Sequence, residues 1–154
     1  MKWHLAAAML LMLAAPAARA ATPLQDLRIQ KADGTFQVFK VERAVTEGQR
    51  ERGLMDRTAL PPGQGMLFLY EAPRTQAFWM KDTYIPLDMV FFTVDGTVAY
   101  IHPNAVPHDL TPIQPVPGRA DICAVLEIAG GQAAATGLKP GDRMVLTGPS
   151  ACLP

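Results

Sequence analysis

The densest run of chemistry-bearing residues is Phe78-Trp79-Met80-Lys81-Asp82-Thr83-Tyr84-Ile85-Pro86-Leu87-Asp88. Read as a strand over Gln76 to Thr83, its alternation puts Phe78, Met80 and Asp82 on one face and Trp79, Lys81 and Thr83 on the other, so both faces mix apolar with charged groups. A plain core strand rarely ends in Lys-Asp, because an unpaired buried charge is costly. Two arrangements satisfy that constraint. Either the strand leaves the core at a rim near Lys81, or the charges line a pocket with Trp79 as a wall and Lys81, Asp82 or Asp88 as polar anchors.

Other chemistries are narrower. Asp82, Asp88 and Glu127 are the residues for carboxylate acid–base work, since carboxylates on neighbouring strands shift one another's proton affinity. Beyond the first 20 residues the chain holds one serine, Ser150, and no G-x-S-x-G elbow, which excludes a serine hydrolase. Met55, Met66, Met80, Met89 and Met144, together with Trp79, offer thioethers of the kind Cu(I) prefers, yet each falls in an apolar run where methionine is ordinary packing. His102 and His108 stand six apart across prolines, which matches no ligand spacing on a helix or strand face. With neither G-x-G-x-x-G nor G-x-x-x-x-G-K-[ST] present, no cofactor or metal is expected. Gly137-Leu138-Lys139-Pro140-Gly141-Asp142 resembles the helix-to-strand turn of PDZ domains, but no Gly-Leu-Gly-Phe loop precedes it.

Short strands must position these groups. Alternation on either side of Asp33-Gly34 predicts a hairpin from Leu24 to Val41, with the D-G step suited to a type I′ turn. Thr46 is placed to cap a short helix from Glu47 to about Leu54, with Gly53 near its end and Arg50 and Arg52 on a solvated face. Met66 to Tyr70, Leu87 to Val94, Thr97 to Ile101 after Asp95-Gly96, Ala124 to Ile128 and Arg143 to Thr147 read as further strands. Gly131 to Thr136 reads as a helical turn ended by Gly137. Five prolines between 102 and 120 forbid a regular ladder there and predict a long loop, either a lid or cover over a sheet edge. The expected fold is mainly β: a single-domain antiparallel sandwich or partly closed barrel with one or two short helices.

Composition fits that picture and narrows the partners. The 154 residues carry 14 Lys+Arg and 14 Asp+Glu, which argues against nucleic acid or an anionic membrane surface, and 49% hydrophobic residues exclude a disordered chain. Lys2, the apolar run Leu5 to Ala15 and Ala18-Arg19-Ala20 read as a cleaved signal peptide over 1–20, leaving a domain of 21–154 with formal charge −2. The apolar run is shorter than the roughly 20 residues a spanning helix needs, so no membrane span is expected after cleavage. Export to an oxidising periplasm makes a Cys123–Cys152 disulfide the default, with two free thiols the alternative; without C-x-x-C spacing a redox pair is disfavoured.

Ala44-x-Thr46, Arg52-Gly53-Leu54-Met55-x-Arg57, Gly65-Met66-Leu67-Phe68, Phe78-Trp79-Met80-Lys81-Asp82-Thr83, Ile85-Pro86-Leu87-Asp88, Val125-Leu126-Glu127 and Gly141-Asp142 together resemble, in that order, the signature of domain-of-unknown-function family 192. The resemblance spans about residues 41–146 and departs at Asp82, where members of that family usually carry Asn. It implies a compact mainly-β domain, often exported, with no agreed activity or ligand. Its positions here include Arg52, Met55, Arg57, Trp79, Met80, Lys81, Asp82, Thr83, Asp88, Glu127 and Asp142. From these the expected ligand-binding set is Arg52, Trp79, Lys81, Asp82, Asp88 and Glu127, with Arg52, Lys81, Asp88 and Glu127 forming one polar cluster. The functional expectation is a non-catalytic periplasmic binding or accessory module that contacts a small polar ligand or a partner protein. The alternatives are a small carboxylate-dependent enzyme and, behind it, a copper-binding protein using Met and Trp.

Overall fold

The computed structural model describes residues 23–75, 77–115, 119–145 and 152; the expected signal segment and the end of the last expected strand lie outside them. Seven strands and two short helices follow one another among the described residues: β1 (Gln25–Gln30), β2 (Phe36–Ala44), α1 (Glu47–Arg52), β3 (Gln64–Arg74), β4 (Leu87–Thr93), β5 (Val98–Ala105), β6 (Ile122–Ala129), α2 (Gln132–Thr136) and β7 (Arg143–Met144). They form one mainly-β sheet in the order β5-β4-β6-β3-β2-β1-β7. Neighbours are antiparallel except β2 and β3, which run parallel because α1 and the turn after it carry the chain back across the sheet.

The sheet curls into a half-barrel. Its two ends are drawn together where Met144 N donates to Gly96 O at 2.8 Å, Val98 N to Asp142 O at 2.7 Å and Gly141 N to Val98 O at 2.9 Å. Inside the curl, one core takes side chains from all seven strands, among them Ile29, Phe39, Leu67, Phe92, Val98, Leu126 and Met144. Over the central strands β3, β4 and β6, the other face carries a second core built on Phe68, Met89, Phe91 and Val125. Leu54, Met80, Leu87 and Ile113, from the connecting segments and the start of β4, pack onto that second core. The near-continuous apolar runs of β4 and β6 follow from this burial on both sides.

Several expectations are refined. Both D-G corners are the same three-residue device rather than a type I′ turn. Gly34 N donates to Lys31 O and Lys31 N to Thr35 O, just as Gly96 N donates to Thr93 O and Thr93 N to Thr97 O. Only the glycine of each pair has positive φ, 82° and 81°, because Asp33 and Asp95 keep ordinary backbone and accept hydrogen bonds from the threonine two residues on. β5 also runs further than expected, through Pro103. It is tolerated there because β5 stands at one end of the strand order and its pairing with β4 shifts register between Met89 and Leu87. The segment 77–83 is not a strand but an irregular loop. Its one ladder contact is Phe78 with Ile113, so the Pro-rich segment covers it as an extra layer over the second core.

Cys123 and Cys152 form a disulfide, with Cα atoms 4.8 Å apart. It ties the tail to β6 in the inner core.

Candidate functional site

α1 is fixed at both ends. Thr46 Oγ1 accepts from Gln49 N at 3.3 Å while Gln49 Oε1 accepts from Thr46 N at 3.0 Å, a capping box that satisfies two otherwise orphaned donors. Gly53 ends the helix at φ 48°, ψ −132°, backbone that glycine alone adopts readily. A Cβ there would meet the Phe68 ring at 3.2 Å, so the glycine also lets the helix end sit down on β3. Arg50, expected on a solvated face, is instead largely covered: Nη1 donates to Val45 O at 2.8 Å and Leu69 O at 2.9 Å, and the guanidinium lies 5.1 Å from the Tyr70 ring centre. Arg52 remains outside, paired with Asp56 at 3.0 Å.

Backbone hydrogen bonds stitch the 77–83 loop in place opposite α1. Phe78 and Ile113 exchange bonds of 2.9 and 2.7 Å, and Met80 N donates to Asp109 O at 2.8 Å. Asp82 takes φ 50°, a left-handed conformation that Asp and Asn tolerate better than other side chains, which accounts for either residue at this position. Its carbonyl accepts from Asp56 N at 2.9 Å, joining the loop to the turn after α1. Because Met80 points inward and is fully buried, Trp79 and Lys81 on either side are turned outward, Trp79 with 56% of its surface exposed.

Between α1, β3, β6 and this loop lies a cavity of about 950 Å³. Phe68, Tyr70, Phe78 and Met55 give it an apolar wall; Trp79, Lys81, Arg52 and Arg74 stand on its rim. Its most unusual lining group is Glu127. This carboxyl lies in the middle of β6 between Met66 of β3 and Met89 of β4, and only 5% of the residue is exposed. Among the described residues it has no hydrogen-bond or ion-pair partner; Arg57, the counter-charge whose field reaches it, is held in a bidentate pair with Glu42 at 2.6 and 2.8 Å. Burial pushes the Glu127 carboxyl up to about 8, with the field of Arg57 only partly opposing it.

Of the expected set, Arg52, Trp79, Lys81 and Glu127 converge on this cavity. Asp82 does not: it is exposed on the turn behind the rim, and its backbone rather than its carboxylate does the positioning. Asp88 does not either. It is fully buried, and its oxygens accept from Asn104 N at 2.8 Å, Gly131 N at 2.9 Å and Ala133 N at 2.8 Å. Strand alternation turns it away from Leu87 and Met89 of the cavity-side core and toward Ala133 of the inner core. The expected cluster of Arg52, Lys81, Asp88 and Glu127 is therefore three residues, and Asp82, Asp88 and Glu127 share no site. Asp142 plays the same part as Asp88, accepting from Ala32 N at 3.1 Å and Lys139 N at 2.9 Å.

Arg50, Tyr70 and Arg74 were not expected on the cavity wall. The signal for them is modest: a basic residue on a capped helix and an aromatic–Arg pair at the end of β3, which meet only once β2 and β3 pair in parallel. Of the five methionines, Met66, Met80, Met89 and Met144 are buried in the two cores, and Met55 is on the cavity wall. Among the described residues no group of three His, Cys, Asp or Glu is arranged to hold a metal. No helix among them is long and apolar enough to cross a membrane.

A curled seven-stranded sheet with a partly polar cavity under a capped crossover helix defines the class of protein. The chain belongs to domain-of-unknown-function family 192, DUF192, described as "Uncharacterized ACR", whose pattern matches residues 28–146. Two solved structures are similar to it. One, from Sinorhizobium meliloti 1021 and described as a candidate transcription regulator, is 39% identical with a TM-score of 0.78, covering 88% of this chain and all of the other. The second, a protein of unknown function from Novosphingobium aromaticivorans DSM 12444, is 39% identical with a TM-score of 0.74, covering 86% of this chain and 99% of the other. No curated protein matches the chain.

Proposed function

We propose that this protein is an exported, non-catalytic module that binds a small polar ligand in the cavity beneath α1. One observation carries the reading: Glu127 is a buried carboxyl with no protein partner among the described residues, on the wall of a cavity that opens at an exposed tryptophan. Its residual exposure is to the cavity, so a ligand that hydrogen-bonds it there supplies a partner that the protein does not. Trp79 offers a rigid face at the mouth with little entropy to lose. Export rests on the signal-like segment 1–20 and fits the disulfide. Balanced bulk charge favours a small molecule over nucleic acid, despite the description of the Sinorhizobium relative.

The carboxylate-enzyme alternative rests on Asp82, Asp88 and Glu127 together, and of these only Glu127 lies in the cavity, whose other carboxylates, Glu47 and Glu51, come from α1. The test is a thermal-shift screen of metabolites against wild type and Trp79→Ala. Support is a set of compounds that raise the Tm of wild type and not of the variant, the unliganded variant melting within a few degrees of wild type. A screen in which nothing raises the wild-type Tm, or in which both proteins respond equally, overturns the reading.

A further inference from the structure

The charges around the cavity point to the kind of ligand. This inference rests on the binding role proposed above and goes one step further. α1 contributes Glu47, Glu51, Arg50 and Arg52, β3 contributes Arg74, and the 77–83 loop contributes Lys81. Within the sheet the cross-strand neighbours of Glu127 are Met66 and Met89, which carry no charge; Glu42 and His102 stand one strand further out on either side. The cations are not equally free. Arg50 is tied to two carbonyls and lies 3.6 Å from Glu71, Arg74 shares Glu71 at 3.9 Å, and Arg52 is paired with Asp56. Lys81 has no hydrogen-bond or ion-pair partner for its ammonium among the described residues.

Glu127 stands in register between Met66 and Met89 on the wall that Phe68, Tyr70 and Phe78 share; Arg57 is the charge whose field reaches it, and no described N–H or O–H is directed at its oxygens. A carboxyl in such surroundings keeps its proton and acts as a hydrogen-bond donor. With it neutral, Lys81 is the lining cation that no carboxylate answers among the described residues, since Glu71 takes up Arg50 and Arg74 and Asp56 takes up Arg52. We propose that the ligand is a small organic anion with a flat apolar body: its anionic group meets Lys81, its body lies against Trp79 and Phe78, and a second oxygen accepts a hydrogen bond from Glu127. The rival occupant for a buried carboxyl beside aromatic rings is an organic cation, which would need Glu127 ionised and would meet Lys81 as a like charge.

Calorimetric titration separates the two with three probes of similar shape: phenylacetate, uncharged phenylacetamide and phenethylammonium. At pH 6.5 phenylacetate should bind at least about tenfold more tightly than phenethylammonium. Lys81→Ala should weaken phenylacetate about tenfold, the scale of one charge-assisted hydrogen bond. Glu127→Gln, which keeps a neutral donor, should leave phenylacetate affinity within about threefold. Preference for phenethylammonium together with its loss in Glu127→Gln overturns the anion assignment. Phenylacetate binding that is indifferent to Lys81→Ala overturns it too, as does failure of phenylacetate to bind. If the metabolite screen meanwhile finds ligands that depend on Trp79, the binding role survives and only the charge of the ligand is wrong.

Discussion

Asp88 and Glu127 are both buried carboxyl residues, one register step apart on adjacent strands β4 and β6, and they have opposite surroundings. Asp88 opposes Ile128 and turns toward the inner core, where three backbone N–H groups from β5 and the start of α2 saturate it. Glu127 opposes Met89 and turns toward the outer face, where no described group donates to it. Burial alone says little about what a carboxyl is for; the supply of donors decides. Asp88 ties β5 to the turn between β6 and α2, whereas Glu127 is left facing the cavity without a donor among the described residues.

The sharpest way to break that contrast is Asp88→Ala. It leaves three buried N–H donors without an acceptor, and it should destabilise the fold by about 3–5 kcal/mol in urea unfolding at constant m-value. Glu127→Gln should cost nothing at pH 7 and instead gain up to about 3 kcal/mol, since no protein partner is lost and folding no longer has to take up a proton. Equal losses in the two variants would mean that Glu127 is held by a partner after all.

Much of this frame is legible in the sequence. Thr46 and Gly53 bracket α1 because capping needs a side-chain oxygen at one end and a glycine backbone at the other. The two D-G corners and the apolar runs at 66–70, 87–93 and 124–128 locate strands that the structure contains. The local pattern could not show which buried carboxyl meets donors. The partners of Asp88 lie 16, 43 and 45 residues away. The irregular path of 77–83 was hidden for a related reason. Met80 is buried and Trp79 and Lys81 face out, as in a strand, but the pairing partner is the Pro-rich segment and not the sheet. The parallel pairing of β2 with β3, which builds the cavity under α1, likewise leaves no mark in either strand alone.

A pH titration of stability sharpens the contrast further. Burial raises Glu127 from an ordinary value of 4.5 to about 8 in the folded protein, so between these values the native state holds a proton that the unfolded chain has released. Stability from this group is therefore complete below about pH 4.5 and is lost as pH rises toward 8, on the order of 5 kcal/mol in all. Wild type minus Glu127→Gln, measured by urea unfolding from pH 5 to 8.5, should show that falling slope. A flat difference would place the carboxyl in contact with solvent or with a donor. An anionic ligand that accepts a hydrogen bond from the protonated Glu127 carboxyl should move the downward step to higher pH.

The same rule separates the two arginines of α1, where the effect is smallest. Arg50 and Arg52 are two residues apart on a six-residue helix, and nothing in their local sequence distinguishes them. Arg50 has 16% of its side chain exposed and satisfies the carbonyls of Val45 and Leu69. Arg50→Ala leaves both acceptors short and uncovers the Tyr70 ring, and should cost about 1–3 kcal/mol. Arg52 makes one exposed i,i+4 pair with Asp56, of a kind that contributes at most about 0.5 kcal/mol. Arg52→Ala should therefore leave the unfolding midpoint almost unchanged while weakening an anion at the cavity rim, an effect that added salt would erode. If Arg52→Ala proves the more destabilising of the two, the helix is held from its outer face, and Arg50 cannot be what seats it over the cavity.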